Sequence, residues 1–257
     1  MLAQKLALSL PTIKNVAGDF NLYSLDFDGV NDYVEYGSTA AFNPNSSGAN
    51  RGFSLSFWVK TSASRVGILG KVDSGKMQYE VLLGVSGVIE FKVYAGGVIT
   101  NYQILSTSTS VSDGAWHNVI CSFNLADANS SILIFIDGVE HSLAIGNASY
   151  FSGGTWTSIT DTLASFIVGS LWGSNPYTGN IDEVAMFDDV TTQVQAAAIY
   201  NSGTPTDLSG ETYLVGYWRN GDTAGTSVYP TIEDYSSNSN DGTMTNMASG
   251  DIVTDVP

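Results

Sequence analysis

From Leu22 onward the chain alternates apolar and polar residues in short runs, each closed by a turn. Phe53, Leu55, Phe57 and Val59 alternate with Ser54, Ser56, Trp58 and Lys60. That period of two puts one face of a strand into a core. Tyr23-Ser24-Leu25-Asp26-Phe27 repeats the pattern and ends at Asp28-Gly29, and residues 32–36 resume it. Residues 77–83 and 88–94 are two further runs joined by Gly84-Val85-Ser86-Gly87, a predicted hairpin. Residues 116–123 precede Ile132-Leu133-Ile134-Phe135-Ile136, whose unbroken apolarity predicts burial on both faces. Asp137-Gly138 then turns the chain into Val139-Glu140-His141, and Phe166-Ile167-Val168-Gly169 and 181–187 are the last strands of this block. Residues 191–201 read as the one helix. Thr191 or Thr192 caps it, Val194, Ala197 and Ala198 form a small apolar face, and Gly203 with Pro205 stops it. One short helix among many strands, with no βαβ alternation, predicts an all-β, antiparallel two-sheet β-sandwich of the jelly-roll kind.

Three regions follow from this pattern. Residues 1–20 carry Leu2, Leu6, Leu8 and Leu10 before Pro11 and Gly18, the pattern of an N-terminal docking arm, a first strand or a tail. Residues 21–203 form the sandwich. Residues 204–257 are a looser C-terminal extension with one clear strand, 213–218, and a turn-rich stretch at 236–242; they either complete the sandwich or extend from it. Lys5 interrupts the apolar start, which is too short for a signal peptide core, and no run is long enough to span a bilayer.

Charge narrows the partners. Nine basic residues against 25 acidic ones give the 257-residue chain a formal charge of −16. Such a surface repels phosphate backbones and anionic lipid, so nucleic acid and membrane insertion are not expected. It suits solubility, divalent cations or basic protein partners. The single Cys121 sits in the apolar run 119–123, as a buried inert thiol does, and it cannot close an intramolecular disulfide.

Several short motifs carry a resemblance. Leu25-Asp26-Phe27-Asp28-Gly29-Val30-Asn31-Asp32-Tyr33-Val34, Phe53-Ser54-Leu55-Ser56-Phe57-Trp58-Val59-Lys60, Asp113-Gly114-Ala115-Trp116-His117-Asn118-Val119, Ile134-Phe135-Ile136-Asp137-Gly138-Val139 and Gly179-Asn180-Ile181-Asp182-Glu183-Val184 occur in that order. Together they resemble the laminin G-like/pentraxin-like branch of the concanavalin A-like lectin/glucanase superfamily. Leu214-Val215-Gly216-Tyr217-Trp218 followed by 234–243 resembles what normally opens such a domain, and here it comes last. That arrangement, with Ser249-Gly250-Asp251-Ile252-Val253 near the end, is similar to bacteriophage virion decoration or fibre proteins.

Catalysis has little support in the sequence. Glucanases of this superfamily carry Glu-x-Asp-x-x-Glu on one strand, because retaining hydrolysis needs two carboxyl groups close together on one face. No such triplet occurs here, and Asp182 and Glu183, as strand neighbours, are expected on opposite faces. The two histidines, His117 and His141, lack a G-x-S-x-G nucleophile or HExxH spacing.

A hard cation is better served. Asp26, Asp28, Asn31 and Asp32 offer several oxygens in one turn, and the resemblance brings Asp182 near them, so these five are the candidate Ca2+ ligands. The same residues also form turns without any metal. Asp222, Asp234, Asn238, Asn240 and Asp241 are a second oxygen-rich group. Sugar binding needs a platform aromatic beside hydrogen-bonding side chains on loops. Trp156, Trp172 and Tyr177, with Asn175 and Asn180, are the candidates, whereas Trp58 and Trp116 fall on strands and read as core.

The expected role is non-catalytic: a virion decoration or fibre protein, contacting other virion proteins and copies of itself as a homo-oligomer. The alternative is a Ca2+-dependent carbohydrate-binding module or adhesin for cell-surface glycans, and a glycoside hydrolase is the third reading. The expected location is the virion or otherwise an extracellular surface.

Overall fold

The computed structural model describes residues 21–44, 52–97, 99, 102–125, 132–141, 159–171, 173, 175–222 and 229–257. The expected docking arm, 1–20, lies outside the described residues. In chain order the strands are β1 (Ser24–Asp28), β2 (Tyr33–Glu35), β3 (Phe53–Lys60), β4 (Gly67–Asp73) and β5 (Lys76–Leu83). Next come β6 (Val88–Tyr94), β7 (Tyr102–Ser110), β8 (Trp116–Phe123), β9 (Ile132–Ile136) and β10 (Val139–Glu140). β11 (Phe166–Val168) and β12 (Thr178–Phe187) precede the helix α1 (Gln193–Tyr200). β13 (Leu214–Trp218), β14 (Thr231–Ile232), β15 (Gly242–Thr245) and β16 (Ile252–Val253) follow it.

Two antiparallel sheets result. The first runs β10-β9-β8-β3-β12-β1-β16, with β13 also paired to β12. The second runs β14-β15-β2-β11-β4-β5-β6-β7. Alternation decides what lies between them. Phe53, Leu55, Phe57 and Val59 of β3 enter the shared core with Tyr79, Val81, Phe91 and Val93 of the second sheet. At the β9–β10 turn, Asp137 and Gly138 both have positive φ, 52° and 73°, as a two-residue primed hairpin turn requires.

The described residues of 204–257 contribute strands to both sheets. β13 and β16 join the first, and β14 and β15 join the second. Trp218 of β13 is fully buried, its ring 4.2 Å from that of Tyr36 and 5.6 Å from that of Phe166.

The two outer faces differ. On the first sheet, α1 covers Ile120 and Phe135 with Ala196 and Ile199, and Tyr200 stacks on Trp58 at 5.8 Å. Thr192 caps the helix through a reciprocal pair with Gln195. The buried stripe is therefore Ala196, Ile199 and Tyr200, not Val194, Ala197 and Ala198, which are exposed. The larger side chains at the C-terminal end remove more apolar surface from water than the small ones nearer the start. After the helix, Leu208 packs on Ala185, Phe187 and Tyr217 of the same face. The outer face of the second sheet keeps a groove instead.

Candidate functional site: a groove on the second sheet

The groove encloses about 800 Å³, within the range of ligand sites, and lies over β5, β6 and β7. Register puts its side chains together. Glu80 pairs with Lys92, Leu82 with Glu90, and Tyr94 with Tyr102. Because Val81, Leu83, Ile89, Phe91 and Val93 take the inward positions, these six point outward.

The floor is a fixed polar network. Glu80 Oε1 accepts from Lys92 Nζ at 3.0 Å and from the Tyr94 hydroxyl at 2.7 Å. Burial and the adjoining Glu80 push the Tyr94 phenol far above its ordinary pKa, so it remains a donor. The Tyr102 ring lies 5.6 Å from that of Tyr94, with Lys92 Nζ 6.0 Å from its centroid. Unlike Tyr94, Tyr102 is only half-buried.

Two backbone bonds set the rims. Arg65 N–H donates to Gly84 O at 3.3 Å, and Gly67 N–H donates to Asn175 O at 2.8 Å. Both glycines leave room for a neighbouring side chain. A Cβ on Gly84 would stand 2.2 Å from the Glu90 carboxylate, and one on Gly67 would stand 2.7 Å from the Leu171 side chain.

Of the residues expected to bind a ligand, Asn175 lines this groove. Tyr177 does not. It is fully buried, edge-on to Phe27 at 6.0 Å, because strand alternation turns its ring between the sheets. Asn180 lies on the first sheet, where its Nδ2 donates to Ser24 Oγ at 3.3 Å. Trp156 and Trp172 lie outside the described residues. Trp58 is buried, whereas Trp116 is half-buried and its indole donates to Asp255 Oδ1 at 3.0 Å. Glu80, Glu90, Lys92, Tyr94 and Tyr102 escaped the sequence reading because they are ordinary polar positions of alternating strands.

The five candidate calcium ligands are engaged in separate local contacts. Asp28 Oδ1 accepts from Val30 N–H at 2.7 Å, and Asp32 Oδ2 accepts from Asp28 N–H at 3.0 Å, so these carboxylates close their own turn. The Asn31 carbonyl accepts from Asn246 Nδ2 at 3.0 Å. Asp26 faces the like charges of Asp251 and Asp255. Asp182 is buried beside Glu183 and Asp222 on the outer face of the first sheet. Among the described residues no three acidic, histidine or cysteine side chains converge as metal ligands. The second oxygen-rich group is a clasp: Asp234 accepts from the amides of Tyr217, Ser236 and Asn240, and Asp241 accepts from that of Asp234. Asn238 and Asn240 both donate to Val215 O at 3.0 Å, and the Asp222 carboxylate accepts from Leu22 N–H at 2.9 Å.

The expectation that Asp182 and Glu183 lie on opposite faces fails at a β-bulge. The register of β12 against β3 shifts between Asp182 and Ala185, and Glu183 has φ of 49°. Both carboxyl groups are buried, and the Tyr217 hydroxyl donates to Glu183 Oε2.

Sandwich topology and a sequence profile agree on kinship. The Laminin_G_3 family profile, described as the concanavalin A-like lectin/glucanases superfamily, matches residues 28–197. The chain belongs to this family. No curated protein sequence matches it. Among solved structures, a candidate carbohydrate binding protein from Bacteroides ovatus ATCC 8483 is similar over 91% of this chain, at 18% identity and a TM-score of 0.59. The chain spans 60% of that protein's length. A heptameric SAP-like pentraxin from Limulus polyphemus is similar over 72% of this chain and 84% of its own, at 12% identity and a TM-score of 0.49. Domains LG4-5 of the mouse laminin alpha1 chain are similar over 74% of this chain and 46% of theirs, at 15% identity and a TM-score of 0.47. At these identities the likeness is one of fold.

Proposed function

We propose that this laminin G-like chain is a non-catalytic glycan-binding module whose ligand lies along the groove of the second sheet. One observation carries the reading: the half-buried Tyr102 ring stands beside the Glu80–Lys92–Tyr94 network in an open groove of about 800 Å³. A sugar needs an apolar platform for its C–H face and fixed polar groups for its hydroxyls, and the groove offers both. The name of the Bacteroides ovatus protein, a candidate carbohydrate binding protein, agrees with this reading. A glycan array with the purified chain tests it. Binding of at least one glycan, lost on Tyr102→Ala, supports it, and silence across the array overturns it.

Hydrolysis is a second reading, favoured by Glu80 and Glu90 on adjacent strands of one face. Against it, Lys92 and Tyr94 both occupy Oε1 of Glu80. Release of reducing sugar, abolished by Glu80→Gln, would establish it. Display on a virion, with 1–20 as the docking arm, rests on sequence resemblance. Removal of 1–20 tests it by loss of incorporation into particles with glycan binding retained.

A further inference from the structure

Resting on the glycan-binding reading, we infer that the groove selects neutral, hydroxyl-rich glycans over uronate-containing, sialylated or sulfated ones, and that Glu90 sets this selectivity. The four charged side chains lining the groove are Arg65, Glu80, Glu90 and Lys92. Lys92 is held against the buried Glu80 at 3.0 Å, so neither charge is available to a ligand's own charge. Arg65 is exposed at the rim, where water and salt weaken its pull. Glu90 is half-buried, and no ion pair or hydrogen bond engages its carboxylate among the described residues. The missing side chain of Gly84 leaves the space in which that carboxylate sits, since a Cβ there would be 2.2 Å from its Oε1.

A free carboxylate in a groove is an acceptor with two oxygens, matched to adjacent hydroxyl groups and to nothing anionic. A sulfated or acidic sugar would set like charge against Glu90 in a partly dry site, on a protein of net charge −16. Asn175 and the Tyr102 ring add contacts that do not depend on ligand charge.

Calorimetric titrations with neutral gluco-, xylo- and manno-oligosaccharides are compared with galacturonate, sialylated and sulfated oligosaccharides of similar length. Neutral ligands are expected to bind at least tenfold tighter. Glu90→Gln, nearly isosteric, should weaken neutral binding about tenfold, as loss of a charge-assisted hydrogen bond does. Glu90→Lys should shift preference toward the acidic and sulfated set. Wild-type preference for the acidic set, or a preference unmoved by both substitutions, overturns this inference while leaving glycan binding intact. No binding of either set overturns the binding reading and this inference with it.

Discussion

Lys92 stands 3.0 Å from the carboxylate of Glu80, and the two sit opposite each other on β6 and β5. The Glu80 side chain is only 2% exposed, and Lys92 and the Tyr94 hydroxyl both donate to its carboxylate on this outer sheet face. Removing the ammonium leaves a buried carboxylate underpaired, which is costlier than never having built the pair. Lys92→Met is expected to lower stability by about 2–3 kcal/mol, read as a lower urea midpoint at unchanged slope. A midpoint within experimental error of wild type would show that water, not Lys92, solvates Glu80.

Tyr102 separates ring from hydroxyl. Among the described residues no hydrogen bond from its hydroxyl joins the floor network, which runs through Tyr94 instead. Tyr102→Phe should therefore bind a neutral oligosaccharide as wild type does, and Tyr102→Ala should bind it about tenfold more weakly, or about 1.4 kcal/mol. Equal losses in both variants would move the contact from the ring face to the hydroxyl.

Stability should fall as pH rises through neutrality. Desolvation by burial raises the Glu183 carboxyl from 4.5 to about 8, despite the Tyr217 hydroxyl and Arg219 beside it. Burial also raises Asp182, with Glu183 and Asp222 adding like charge. In the folded chain these groups hold protons that the unfolded chain has released, so stability is highest below about pH 4.5 on their account and is lost as pH climbs to about 8. His117, raised above 6.5 by its hydrogen bond to Asp137 and by Asp113, acts in the same sense. Glu183→Gln should flatten the pH dependence of the urea midpoint between pH 5 and 8, and His117→Gln should remove the part above pH 6.5. An unchanged profile in Glu183→Gln would mean that Glu183 is already ionised in the folded chain.

The alternation along β3, the Asp137-Gly138 turn and the Thr192 cap were legible because each is local: a period, a dipeptide and a hydroxyl set the backbone within a few residues. The groove was not. Glu80, Glu90 and Lys92 look in sequence like the polar half of any hairpin, as Ser54 and Ser56 look like the polar half of β3. What separates them is which outer face α1 and the tail cover, a relation between distant segments. Loop tryptophans drew attention instead. Tyr177 misled for a related reason: a short run after Pro176 looks turn-like, but the strand that follows turns its ring inward against Phe27. Glu183 failed on a single bulge, which breaks the period that assigned its face.

Trp218 tests the tail. Its ring fills the core against Tyr36, Phe42 and Phe166, and its indole N–H donates to Asn240 O at 2.8 Å. Trp218→Ala should destabilise the whole sandwich by about 3–5 kcal/mol in one cooperative transition. A separate early transition confined to 204–257 would instead make the tail an independent appendage.

Mapping where a sugar lands addresses the central claim most directly. In amide nuclear magnetic resonance spectra recorded with chelator present, a neutral oligosaccharide should shift resonances of Glu80, Leu82, Glu90, Lys92 and Tyr102, with saturation matching the calorimetric affinity. Shifts clustered on the first turn around Asp28 and Asp32, or on the outer face of the first sheet around α1, would contradict the assignment of the groove.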